Sequence, residues 1–222
     1  MTTELVVMDM AGTTVADDGL VVKAFTAAIE TAGVPDEKYP GMLQYVIDTM
    51  GQSKITVFRA LLDDETRAQQ ANSAFEAAYG DLVRAGECKP IPGAEDVIRG
   101  LRDNGIKVAF TTGFAPTTQQ AILDALGWRD LADLALAPGD GVRGRPFPDL
   151  VLTAALRLEV TDVRQIAVVG DTASDVLCGR RAGASVVAGV LTGAGERDDF
   201  TEATHVLASV SELPAVLEGE NP

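Results

Sequence analysis

Four stretches of the chain carry side chains of reactive type next to apolar runs. Asp9 follows Leu5-Val6-Val7-Met8, and Thr111-Thr112-Gly113 follows IKVAF (106–110). Arg143-Gly144-Arg145-Pro146 precedes a helical pattern. Asp171 follows IAVVG (166–170), with Asp175 four residues further on. An aspartate, a hydroxyl, a cation and paired aspartates in this order suit phosphoryl transfer. Asp9 could attack phosphorus and become an aspartyl-phosphate, dividing one hard displacement into two easier ones. A carboxylate nearing a phosphoryl dianion is repelled, so the set needs positive charge. Asp9 and Asp171 offer the hard oxygen ligands that Mg²⁺ prefers. Asp175, one helical turn later, could hold a metal-bound water. Thr112, predicted at a helix N-terminus with free N–H groups, suits a phosphoryl oxygen. Arg145 would offset developing charge and orient the group. Taken singly, Thr112 and Asp171 read equally well as helix caps, and Arg145 as part of a solvated loop. The ordered set is what favours chemistry.

Such residues need a scaffold that gathers distant stretches at one edge. LVVM (5–8), IKVAF, DLALA (133–137), IAVVG and SVVAGV (185–190) are continuous apolar runs of strand length. Continuity, rather than alternation, fits strands buried on both faces of a parallel sheet. Helical patterns lie between them at 94–105, 117–127, 148–158 and 173–183. This alternation predicts an α/β fold with a doubly wound, Rossmann-like parallel sheet, whose ligands sit beyond the carboxyl ends of the strands. Residues 15–89 break the rhythm, with no convincing strand. Segments 21–33 and 66–86 read as amphipathic helices, the second with Ala71, Phe75, Ala78, Tyr79, Leu82 and Val83 on one stripe. A shorter helix runs from Lys54 to Leu62. The expected organisation is a core of residues 1–14 and 90–222 with a helical domain, 15–89, inserted after the first strand.

Composition narrows the partners. The 222 residues include 33 acidic and 18 basic side chains, a net charge of −15. Such a surface repels phosphate backbones, so nucleic acid is not an expected partner. No apolar run reaches the roughly 20 residues that span a bilayer. The N-terminus lacks a basic segment before its apolar stretch, so a cytoplasmic location is the expectation. Cys88 and Cys178 sit in unlike contexts and suggest neither a disulfide framework nor a zinc site. The single histidine, His205, falls in ATHVLAS and reads as a structural residue of the last strand. Apolar cap helices could pair two chains as a homodimer, although they must also pack on one another.

DMAGTT, FTTGF, GRPFPD and VVGDTASD resemble the four ordered motifs of the haloacid dehalogenase-like superfamily, and residues 15–89 resemble its helical cap. The resemblance implies Asp9 as nucleophile and Mg²⁺ held by Asp9, the Ala11 carbonyl and Asp171. Phosphatases of the superfamily carry a second aspartate two places after the nucleophile, which protonates the leaving group. Here that place is Ala11, which can protonate nothing. The phosphonatase branch, phosphonoacetaldehyde hydrolase, is similar in having alanine there. It cleaves a P–C bond, with a cap lysine forming a Schiff base so that carbon leaves as an enamine.

MGQSK (50–54) looks like that branch's M-G-x-x-K segment, which implies Lys54 as the imine-forming residue. Ser53 is a plausible N-cap, so Lys54 would begin a helix, where the macrodipole disfavours an ammonium. Closure over a dry cleft would free the amine further. Met50 and Gly51 would shape the same loop, and Gly113 is the glycine of the second motif. The alternative for Lys54, one of five lysines, is an ordinary surface position. Three departures stand against the branch pattern: Val57 for a histidine, Phe114 for a tyrosine, and Gly19-Leu20 where a cysteine is expected. The leading expectation is a Mg²⁺-dependent hydrolase of a small phosphonate. The alternatives are a phosphomonoesterase without its usual acid and a weakly catalytic phosphate-binding protein. Each would take a small phosphorylated or phosphonate ligand.

Overall fold

The computed structural model describes residues 2–139 and 141–219. Strand β1 (Leu5–Asp9) is buried along its whole length. Its side chains alternate between two apolar layers, Val6 and Met8 joining one cluster and Leu5 and Val7 the other. A strand covered on both faces needs this arrangement. The chain then forms β2 (Val15–Ala16) and four helices, α1 (Leu20–Thr31), α2 (Tyr39–Asp48), α3 (Lys54–Leu61) and α4 (Glu65–Arg84). It returns through β3 (Lys89–Pro90). Alternation follows: α5 (Ala94–Asp103), β4 (Lys107–Thr111), α6 (Pro116–Leu126), β5 (Leu134–Leu136), α7 (Asp149–Arg157), β6 (Ile166–Gly170), α8 (Ala173–Ala182), β7 (Val186–Val190), β8 (His205–Leu207) and α9 (Leu213–Gly219).

Six strands form one parallel sheet in the order β5-β4-β1-β6-β7-β8. The fold is therefore the doubly wound α/β architecture that the alternating pattern predicts. β1 pairs with β4 on one side and with β6 on the other. The strand order reverses at this point, and open parallel sheets bind ligands where it does. Asp9 ends β1, and Asp171 follows β6 directly.

Two features of the helical segment depart from the expectation. Val15–Ala16 pairs antiparallel with Lys89–Pro90, so the segment leaves and returns through one two-residue ribbon. Two residues are too few to show a period, and Pro90 argues against a strand. Helix α2 was also not expected. It buries only Met42 and Val46, and Pro40 and Gly41 stand in its first turn. Proline is tolerated there because the N–H it lacks would have no intrahelical partner.

An aromatic series ties helices to sheet. The rings of Phe25 and Phe58 are 5.8 Å apart, Phe58 and Phe75 6.2 Å, and Phe75 and Phe114 6.1 Å. It runs from α1 through α3 and α4 to the loop after β4, each pair adding roughly 0.5–1.5 kcal/mol beyond burial. Glu76 on α4 accepts the Thr118 hydroxyl and, at 3.4 Å, the Ala115 N–H, serving the first turn of α6, whose N–H groups lack intrahelical partners. Among the described residues no helix is long and apolar enough to cross a membrane.

Candidate active site

Beyond Asp9 the chain must reverse without obstructing its neighbour. The Met10 carbonyl accepts N–H bonds from Thr14 at 2.9 Å and Val15 at 2.8 Å. Gly12 has φ of +87°, and a Cβ there would lie 2.3 Å from Asp171 Oδ2. Only glycine meets both demands. Asp171 accepts the Ala194 N–H at 2.8 Å and the Thr13 hydroxyl at 3.2 Å. Thr172 caps α8 and closes a reciprocal capping box with Asp175.

Arg145 joins two of the carboxylates. Its Nη2 donates to Asp9 Oδ1 at 2.5 Å and its Nη1 donates to Asp175 Oδ1. All three side chains are buried, so the expectation of a solvated loop does not apply to this arginine. Its Nε is buried without a partner among the described residues. Carboxylate oxygens of Asp9, Asp171 and Asp175 lie within 4.8 Å of one another. Burial raises the Asp9 pKa well above the usual carboxylate range; Arg145 opposes this, while Asp175 and Asp171 add to it. Burial, then Asp175, push Asp171 up to about 6. Three carboxyl groups face one guanidinium, so full ionisation would leave two negative charges uncompensated. An all-oxygen donor set with surplus negative charge fits a hard divalent cation.

A cavity of about 320 Å³ opens over this cluster. It gathers every candidate catalytic and metal-binding residue together with Met50, Gly51 and Gly113; Asp175 stands outside its lining, against Arg145 and Thr172. Thr112 is fully buried in the loop after β4, and its Oγ1 accepts the Phe114 N–H at 3.2 Å. It does not stand at a helix N-terminus: α6 begins at Pro116, with Ala115 as its cap. The intervening residues meet the helical segment instead. A Cβ on Gly113 would lie 2.5 Å from the Gln52 carbonyl oxygen, and one on Gly51 would lie 2.4 Å from Thr172 Oγ1. The Met50–Ser53 stretch therefore touches the loops after both β4 and β6.

Lys54 is the first residue of α3, preceded by Ser53 in the cap position but without a side-chain cap bond. Its N–H donates to the Gly113 carbonyl at 3.2 Å. The side chain is buried and lines the cavity, with Nζ 5.6 Å from the Phe114 ring centre and 5.9 Å from that of Phe75. It makes no ion pair among the described residues. Burial lowers its pKa to about 8; Asp17 opposes this shift and Arg145 adds to it. Val57 and Phe114 are buried in the apolar cluster.

Sequence reasoning missed part of the wall. Asp17, Asp18 and Gly19, in the turn before α1, line the cavity, as do Thr172 and the Thr192-Gly193-Ala194 loop. Thr192-Gly193 follows the apolar run of β7 closely, so the rule that placed Asp9 could have found it. The turn follows a two-residue strand and offers no such signal.

Comparison with known proteins identifies the family. The model for haloacid dehalogenase-like hydrolases matches residues 3–183. The chain belongs to the haloacid dehalogenase-like hydrolases. Phosphonoacetaldehyde hydrolase of Bordetella pertussis is 32% identical over 208 residues, which span 86% of this chain and 73% of that protein. The enzyme of that name from Bacillus cereus is 30% identical over 214 residues, 88% of this chain and 78% of the relative. A crystal structure of a phosphonoacetaldehyde hydrolase like protein from Oleispira antarctica superposes with a TM-score of 0.84 and 25% identity, covering 99% of this chain and 92% of that one. This hydrolase is thus an enzyme of phosphonatase-like type.

In this hydrolase, Gly12→Ala is expected to disturb Asp171 before anything else. The new Cβ overlaps the carboxylate, and alanine at this φ costs about 1–2 kcal/mol. Titrating activity with a divalent cation should show half-maximal activity moved to at least ~10-fold higher metal, a free-energy difference of about 1.4 kcal/mol. An unchanged titration would mean that the close approach has no bearing on the site.

Proposed function

We propose that this chain is a Mg²⁺-dependent phosphonatase that cleaves the P–C bond of a small phosphonate bearing a carbonyl, phosphonoacetaldehyde being the first candidate. The observation that carries the reading is Lys54: a buried amine, without an ion pair among the described residues, sharing one cavity with Asp9, Arg145 and Asp171. The relatives named phosphonoacetaldehyde hydrolase support it. Residues 15–89 act as a cap over a core of 1–14 and 90–222.

The Lys54 amine condenses with the substrate carbonyl, with loss of water. Asp9 then attacks phosphorus from the carboxyl edge of the sheet. The P–C bonding pair moves toward the iminium nitrogen, so carbon leaves as an enamine and needs no proton at that moment. Ala11, which offers none, is consistent with this. Arg145 holds the attacking carboxylate through Nη2, and its free Nε suits a phosphoryl oxygen, as does the hydroxyl of Thr112. Water then hydrolyses the aspartyl-phosphate, and a second water releases the carbonyl product from Lys54. Asp9 and Asp171, with the Ala11 carbonyl, would hold Mg²⁺, which supplies positive charge against the phosphoryl group. Asp175 keeps Arg145 in place.

The test is inorganic phosphate released from phosphonoacetaldehyde, beside a simple phosphate ester, with Mg²⁺ and then with chelator. Prompt release from the phosphonate, abolished by chelator, is the expected result. Turnover of the ester alone would overturn the reading in favour of a phosphomonoesterase. Val57 and Phe114, which bring no proton-transfer group to Lys54, are the observations that favour that second reading.

A further inference from the structure

Resting on the imine reading above, we propose that Asp17 is the proton carrier for the chemistry at Lys54, a role for which the residues packed around this lysine offer no imidazole or phenol. Asp17 and Lys54 belong to different elements, the turn before α1 and the start of α3, yet line the same cavity. The Asp17 carboxylate is fixed by backbone: Oδ1 accepts the Val21 N–H at 3.1 Å, in the first turn of α1. The residue that follows, Asp18, has φ of +43°, a left-handed conformation in which aspartate is one of the few tolerated side chains. Among the described residues Asp17 forms no ion pair, and neither does Lys54. A carboxylate and an amine therefore face one space, too far apart to pair directly. Substrate atoms or water would fill the gap.

Apart from Asp18, the neighbour of Asp17 on the same turn, the acidic groups near Lys54 are occupied. Asp9 and Asp175 hold Arg145, Asp171 accepts from Thr13 and Ala194, and Glu76 serves the start of α6. The rings against Nζ are Phe75 and Phe114, and Val57 is the residue one turn along α3. Tyr79 does not line the cavity, and His205 is on β8. Of all charged groups, Asp17 acts most strongly on Lys54, ahead of Arg145, Asp9 and Asp171. Burial raises the pKa of Asp17 itself, making it a readier proton acceptor.

The proton inventory closes with Asp17 alone. Through water in the cavity, the Lys54 ammonium gives one proton to Asp17, leaving a neutral amine and a carboxylic acid. The nitrogen lone pair forms the C–N bond while the carbonyl π pair moves to oxygen. Asp17 protonates that oxygen and then takes a proton from nitrogen, giving a neutral carbinolamine. Asp17 finally protonates the hydroxyl, which leaves as water while nitrogen forms the C=N bond. The products are an iminium, one water and the original Asp17 carboxylate.

Borohydride trapping tests this without relying on P–C cleavage. The protein is mixed with phosphonoacetaldehyde and borohydride, and the rate at which reduced adduct appears on Lys54 is followed by mass spectrometry. Wild type should form the adduct. Asp17→Asn should form it at least ~10-fold more slowly, general acid–base groups contributing about 10²–10⁴-fold, and Asp17→Glu should recover part of the loss. If the asparagine chain folds poorly, Asp17→Ser, whose hydroxyl can still accept the Val21 N–H, carries the same expectation. Trapping at the wild-type rate in the variant would overturn the role of Asp17 while leaving the imine intact. No adduct in wild type would overturn both, and so the two failures are distinguishable.

Discussion

Lys54→Met is expected to lower phosphate release from the phosphonate, by a factor on the order of 10³ or more, while making the protein more stable. A residue of structural importance would not behave this way. The buried ammonium is unfavourable: its pKa of about 8, against 10.5 for a free lysine, corresponds to roughly 3 kcal/mol at neutral pH. Methionine keeps the length and apolar contacts against Phe75 and Phe114 without the charge. Urea unfolding at pH 7 should show a gain of about 1–3 kcal/mol. The pH dependence has a definite sign. Because the folded-state value is the lower one, the unfolded chain binds more protons between pH 8 and 10.5. Wild-type stability therefore gains a rising contribution across that window, and the methionine variant lacks it. Phosphate release by wild type should climb toward pH 8 as the amine becomes free. Destabilisation at pH 7, or retained phosphate release, would count against Lys54 as the imine-forming group.

Asp9→Asn should abolish turnover of every phosphorylated or phosphonate substrate, by on the order of 10³-fold or more, because an amide cannot form the acyl-phosphate. Its effect on stability separates the nucleophile from the metal ligand. Burial and two neighbouring carboxylates disfavour a charge at Asp9 in the folded protein. That raised pKa makes the folded state bind the proton more readily, so stability falls as pH rises through the carboxylate range. Removing the charge should therefore raise the thermal midpoint in chelator at pH 7.5. Added Mg²⁺ should raise the wild-type midpoint by mass action and move that of Asp9→Asn far less. Equal metal-induced shifts in both proteins would mean that Asp9 is not a ligand, whatever its part in catalysis. Asp171→Asn is the informative companion, since it should lose the metal response yet keep the carboxylate that attacks.

The parts of the site that could be read from the chain share one property. Asp9 ends one continuous buried strand and Asp171 directly follows another, and parallel-sheet topology turns that position into a location in space. Thr112 was legible for the same reason, but its relation to α6 was not. The tight approach of Gly113 to Gln52 inserts a stretch of loop before the helix, and contacts between distant segments leave no local trace. Lys54 came from a motif and one cap residue; its burial depends on α1 and α4 packing beside it. Asp17 was invisible because its neighbours form a two-residue strand and a turn, without periodicity. Gly51 and Gly113 were legible as parts of motifs and Gly12 stands in the first of these, but the reason each must be glycine was not. Each is required by an atom far along the chain, such as Asp171 or Thr172.

The ribbon of Val15–Ala16 on Lys89–Pro90 puts the two chain crossings between helices and sheet side by side. Both strands that connect the helices to the sheet pass through one small paired strip, so the helices have a single tether rather than two separate ones. Any displacement of the helices that kept this pairing would be confined to a swing about that strip, as a door's is to its hinges, whereas sliding or spinning would break it.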